Sequence, residues 1–302
     1  MTKSLQLLLL ISLFICTASI KGVSQEEFGQ NRVQYHDFEW SYFESEHFNT
    51  YYYIGNQDIG KFVIQIAEDN LEKIVEILDF RIETTIDIMV YTDITDANQT
   101  NIGIYRPETN IGGKTKILDN KLFVYFTGDH RELEEQVRRG IATIFINKML
   151  FGVNFQEVLQ NAVLLNLPSW FVDGLIDYIG KPWSVELDNR LAEGILNGKF
   201  KKIKKLEAKD ARFMGHAFWH YLEMTYGESA VPNLLYLTRI NRSLESGFLF
   251  VLGSSVNEAL KEWYDFNLAR YAEERDSKDI LRKKYTLDSR INKKKIYYQL
   301  RL

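Results

Sequence analysis

The change of residue periodicity at Asp129 constrains the fold of this chain more than any other feature. Before it, the sequence alternates short extended runs with one helix. The stretch "FESEHFNTYYYI" (43–54), within an extended reading of residues 35–54, is dense in aromatics and has little helical patterning. Asp58 to Asp79 has helical spacing at Phe62, Ile66, Leu71, Ile74, Val75 and Leu78, with Asp58 as the expected cap. "TIDIMVYT" (85–92) reads as a buried strand. Residues 93–113 read as a loop, closing on a turn at Asn110-Ile111-Gly112-Gly113. "KTKIL" and "KLFVYF" flank a two-residue hairpin turn at Asp119-Asn120. After Asp129 the expectation is almost entirely helical, over 130–150, 154–166, 169–179, 184–198, 211–226, 229–239 and 255–275. There are no internal repeats and no Gly/Ser linker. A small N-terminal β-sheet followed by a mostly helical half predicts an α+β fold rather than an alternating parallel sheet.

The first residues form a separate unit. Lys3 gives a basic start, Leu5 to Ile15 is an apolar run short for a membrane span, and Gly22-Val23-Ser24 offers small residues for cleavage after Ser24. The expectation is a signal peptide over 1–24, one domain over 25–280 and a basic tail over 281–302. An uncleaved anchor is the rival. A lipid anchor on Cys16 is disfavoured by the bulky Phe14-Ile15 before it. Cys16 is the single cysteine, so the mature chain has neither a disulfide framework nor thiol chemistry. Export without cysteines fits a Gram-negative periplasm or outer-membrane-associated site as well as any oxidising space. No later apolar run reaches membrane length, so the mature chain is expected to lack a transmembrane span, with peripheral attachment left open.

Charge excludes one class of partner. Losing Lys3 and Lys21 with the leader takes the formal net charge from −4 to −6, which argues against nucleic acid. Eight basic residues against Asp288 give residues 281–302 a net +7, leaving −13 on 25–280. The tail reads either as a solvated basic segment or as a docking piece. Its "IYYQL" (296–300) has one apolar face suited to strand addition and is expected to order only beside a further β-domain or a partner strand.

The stretch "LNLPSWFVDGLIDYIG" (165–180) carries the functional question. Together with "FESEHFNTYYY", the long helix from His130 and "GHAFWHYLEMTYGESAVPNLL" (215–235), it makes the chain similar, from about Phe43 to Tyr271, to the peptidase MA-like (gluzincin) domains. More narrowly, the chain resembles the N-terminal part of envelope proteins in which such a domain precedes a TolB-like β-propeller. The resemblance implies a zincin-like fold. In active members a His-Glu-x-x-His helix supplies two metal ligands and the base, and a later acid supplies the third ligand. Here the motif is degenerate. Gln136 and Gly140 stand at the histidine positions, Val137 at the base and Asp173 at the later acid. None of the five histidines, at 36, 47, 130, 216 and 220, is followed by glutamate.

The residues themselves agree with that reading. Leu133, Val137, Ile141, Ile144 and Phe145 form an apolar stripe, and Gly140 beside it calls for close helix packing, with backbone filling the space, to offset its ~1 kcal/mol cost in a helix. Asp173 reads as an ordinary carboxylate near a helix N-terminus, with a surviving ligand role as the alternative. Asp177 reads as solvent-facing, and Trp170, Phe171, Leu175 and Tyr178 as core. His216, His220 and Glu223, at i, i+4 and i+7, form a polar arc opposite Met214, Ala217, Phe218 and Tyr221. That arc is a sensible zinc set by ligand type, although Ala217 leaves it without an adjacent base.

The leading expectation is a non-catalytic, exported protein-interaction module without a cofactor, whose partners are envelope proteins. One alternative is a zinc metalloprotease with its site relocated to His216, His220 and Glu223. Another is a ligand-binding protein that uses the aromatic stretch Tyr35 to Tyr53.

Overall fold

The computed structural model describes residues 38–53, 55–92, 94–99, 110–111, 115–118, 120–152, 165, 167–201, 203 and 206–277. The leader expected over 1–24, the basic stretch 281–302 and the helix expected over 154–166 lie outside these residues, apart from the single position 165.

The chain starts with a hairpin, β1 (Trp40–Glu44) and β2 (Phe48–Tyr53), paired antiparallel so that Trp40 faces Tyr53. Its turn is closed by Ser45, whose backbone N–H and hydroxyl both donate to the Phe48 carbonyl. Helix α1 (Gln57–Leu78) then crosses over the sheet and returns the chain as β3 (Ile86–Tyr91), parallel to β2. A parallel neighbour needs such a crossover. Asp58 lies in the first turn of α1, where its charge suits the helix dipole. It is not the cap. Asn56 holds that position and makes no side-chain capping bond.

Residues 93–113 are not all loop. They include a short helix, α2 (Ile94–Gln99), and a two-residue strand, β4 (Asn110–Ile111). β5 (Thr115–Leu118) and β6 (Lys121–Tyr125) form the expected hairpin. The sheet order is β1-β2-β3-β6-β5-β4, parallel across β2-β3-β6 and antiparallel at both flanks. The sheet is therefore mixed within the α+β plan.

Alternation decides which sheet face is covered. Phe48, Thr50 and Tyr52 of β2 and Ile86, Ile88 and Val90 of β3 are buried beneath helices. Tyr91, Phe123 and Tyr125 cluster on the opposite face with Tyr53, Met89 and Ala97.

The helical half begins with α3 (His130–Phe151), capped by Asp129, whose carboxylate accepts from the Arg131 N–H at 2.8 Å. Its middle is buried all round, from Gly140 to Ile146. It is the pivot of the fold, with the sheet on one side and α4 (Ser169–Gly180) on the other. There follow α5 (Val185–Leu196), a 3-10 turn at Lys199–Lys201, α6 (Ala208–Tyr226), α7 (Ala230–Asn241), α8 (Leu244–Leu252) and α9 (Val256–Ser277). The nine-residue α8 falls between expected helices, and its Ser243 cap accepts from the Ser246 N–H. Trp170, Phe171, Phe218, Trp219, Phe248 and Trp263 form the aromatic centre of this half. One continuous core runs from Phe48 in the sheet to Tyr271 in α9.

Candidate functional site

The region singled out by sequence is where α3, α4 and α6 meet. Gln136 projects from α3 and is 2% exposed. Its amide oxygen accepts from the Tyr125 N–H at 3.2 Å and its amide nitrogen donates to the Tyr125 carbonyl at 3.0 Å. The side chain thus behaves as an extra strand residue at the end of β6. Val137, one residue on, is fully buried in the core. A Cβ on Gly140 would lie 2.2 Å from Cδ1 of Leu122 in β6. The packing at Gly140 is close as expected, but a strand side chain fills the space rather than backbone.

Asp173 sits one turn into α4, partly buried, and burial pushes its carboxyl above the ordinary range while Arg212 pulls it back. Asp177 is not solvent-facing. It is 14% exposed and lies between two guanidiniums. Arg212 of α6 donates to it from both Nε, at 2.6 Å, and Nη2, and Arg139 of α3 lies 3.0 Å away. Arg138 donates to the Ile179 carbonyl at 2.8 Å, tying α3 to the end of α4. In this region, two arginines supply the positive charge that faces the acid on α4.

The helices approach closely because two glycines meet. A Cβ on Gly174 would be 2.5 Å from the Gly215 backbone, and one on Gly215 would be 1.8 Å from the Trp170 carbonyl oxygen. The Trp219 indole donates to the Phe171 carbonyl at 2.8 Å across the same crossing. Sequence reasoning missed this pair. The signal was there, in the Asp-Gly of "FVDGL" and the Met-Gly-His of α6, but nothing local says that the two glycines face each other.

The three candidates on α6 diverge. His216 is not a polar-face residue. It is 3% exposed, its ring sits edge-on to Tyr178 and Trp183, and its Nε2 has no hydrogen-bond partner among the described residues. Burial pushes it down to about 4. His220 instead stacks on Trp183, with centroids 4.8 Å apart, and burial lowers its pKa. Burial, and then the nearby Glu223, raise the Tyr178 phenol out of its usual range. Among the described residues, no three His, Cys, Asp or Glu side chains are grouped so that they could hold a metal ion.

His220 faces a groove of about 630 Å³ between α5, α6 and α9. Trp183, Tyr221, Met224 and Phe266 make it mostly apolar. Its polar side is spoken for, since Asp188 accepts from Trp183 Nε1, Tyr271 Oη and Arg270 Nη2. The N-terminal aromatics also serve packing. The rings of Phe38 and Trp40 lie against Tyr53 and Tyr91, and the Tyr53 hydroxyl bonds Thr92 and, at 2.5 Å, Asp96.

No protein-family model matches the sequence, and no curated protein matches it significantly. No helix among the described residues is long and apolar enough to cross a membrane.

Proposed function

We propose that this chain is an exported, non-catalytic, peptidase-like domain that serves as a protein-interaction module in a Gram-negative cell envelope. The observation that carries this reading is the use made of Gln136. Both polar atoms of its amide are bonded to the Tyr125 backbone and the side chain is buried, so this position is given over to joining α3 to the end of β6. Supporting it, Val137 has no group that can take a proton, Leu122 fills the space beside Gly140, and Asp177 is neutralised by Arg139 and Arg212. A fold kept without the chemistry of its site is naturally read as a scaffold for contacts. The leader pattern at residues 1–24 supports export, and the resemblance to proteins carrying a TolB-like propeller supports the envelope.

Metal analysis and peptide hydrolysis test this directly. Mature protein purified without chelator is expected to hold well under one zinc per chain and to leave unstructured peptides uncut. One zinc per chain, lost on His216→Ala, would instead establish a metalloprotease with a relocated site.

A further inference from the structure

The free edge of the sheet, together with the groove beside it, narrows the interaction-module reading on which this inference rests. Among the described residues β1 ends the strand order, and only β2 pairs with it. Alternate N–H and C=O groups of Trp40–Glu44 therefore point away from the sheet. Edge strands are usually protected by lysine, proline or a cover. This one, WSYFE, has neither residue and is exposed along most of its length. Its exposed Trp40 and Tyr42 are held by ring contacts with Tyr53 and Tyr51 at 5.6 and 5.5 Å.

Beside this edge, between the end of β1 and α1, lies a groove of about 630 Å³. Phe43 and Ile64 form its apolar part. Glu44, Glu68 and Asp69 supply three carboxylates against the single Lys61. Glu68 is fixed by His47, whose backbone N–H and Nδ1 reach its two oxygens at 3.0 and 2.9 Å. Burial would raise the Glu68 carboxyl, but hydrogen bonding, that of His47 included, outweighs it and holds the group below its ordinary range. The exposed Glu39 and Glu46 extend the acidic border along the strand.

We propose that this edge and groove bind an extended basic segment of a partner polypeptide by strand addition. The partner backbone pairs with β1, an apolar side chain enters over Phe43 and Ile64, and flanking lysines or arginines meet Glu44 and Asp69. An unpaired strand edge asks for a peptide backbone, and a carboxylate border asks for cations, so together they select a basic polypeptide over an acidic lipid surface.

The test titrates the full mature chain with a fluorescent peptide alternating valine and threonine between terminal lysine pairs. Saturable binding is expected, weakened about tenfold by the double variant Glu44→Lys, Asp69→Lys. These side chains are exposed, and an unchanged thermal melt verifies the variant's fold. A peptide N-methylated at alternate residues should not bind, because it cannot complete the ladder. Equal binding of the methylated peptide, or no binding of the parent, overturns the proposal. So does a Lys61 crosslink to Lys293–Lys295 of the same chain, which gives the groove to this chain's own tail. A concentration-dependent dimer broken by Glu44→Lys gives it to a second copy and also overturns it. Intact recovery of the peptide keeps the outcome separate from the zinc test, since either result can fail alone.

Discussion

His216 sets a pH dependence that a surface histidine would not. In the fold its pKa is pushed to about 4, against an ordinary 6.5, because burial disfavours the imidazolium. Asp177 favours the cation, while Arg139, His220 and Lys181 oppose it. The unfolded chain therefore takes up a proton first as pH falls. The stability tied to neutral His216 is complete above pH ~6.5 and is lost as pH drops towards ~4. Denaturant unfolding should show about 2 kcal/mol less stability at pH 5 than at pH 7.5 from this group. His216→Phe should remove that difference, and a variant with the same pH dependence as the parent would refute the assignment. Gly140 makes the complementary case for packing. Alanine there gains ~1 kcal/mol of helix propensity but drives a methyl into Leu122, which is fully buried and has little room to yield. Overpacking costs about 1–3 kcal/mol, so Gly140→Ala should be net destabilising and Gly140→His more so. Adding Leu122→Ala should recover part of the Gly140→Ala loss in a double-mutant cycle.

Between elements, the decisive contact is the crossing of α4 over α6. At Gly215 an added methyl meets a backbone carbonyl, which has even less freedom to shift than the buried Leu122 side chain. Gly215→Ala should therefore cost more than Gly140→Ala, about 3 kcal/mol or above, and equal losses would show that the crossing can relax. The Arg139–Asp177–Arg212 group ties α3, α4 and α6 together while only 14–21% exposed. Removing its centre leaves two arginines partly buried without their acid. Asp177→Ala is expected to destabilise by about 3 kcal/mol, whereas replacing all three with apolar residues of similar volume should be close to neutral. Chemical denaturation of the two variants side by side checks this. A triple variant as weak as Asp177→Ala would mean that the charges themselves hold the helices together.

Across the whole molecule, the shared core predicts concerted unfolding. Sheet and helices pack on opposite sides of α3 and belong to one hydrophobic cluster, so neither half can expose its face of α3 without cost to the other. Hydrogen exchange should give similar global opening free energies for β3 in the sheet and α6 in the helical half. Two widely separated values would divide the chain into two folding units. Much of this plan is legible in the sequence. The long helices α1, α3 and α6 and the strands β3 and β6 follow from periodicity, as does the order of sheet before helices. The candidate site was legible as a set of residue types but not as an arrangement. Asp177 read as solvent-facing because the two arginines that enclose it come from helices 38 residues earlier and 35 later.

By itself, then, the sequence determined the long helices and the central strands, but not the short α2, β4 and α8, and it put Gln, Val and Gly at 136, 137 and 140. These are local properties, encoded by spacing along one element. Only the tertiary structure decided that Gln136 completes the end of β6, that Gly174 meets Gly215, that His216 is enclosed while His220 looks into a groove, and that β1 ends the sheet of the described residues. Each of these depends on which faces of distant elements are brought together. Close packing settles that choice over the whole core at once, and no window of neighbouring residues contains it.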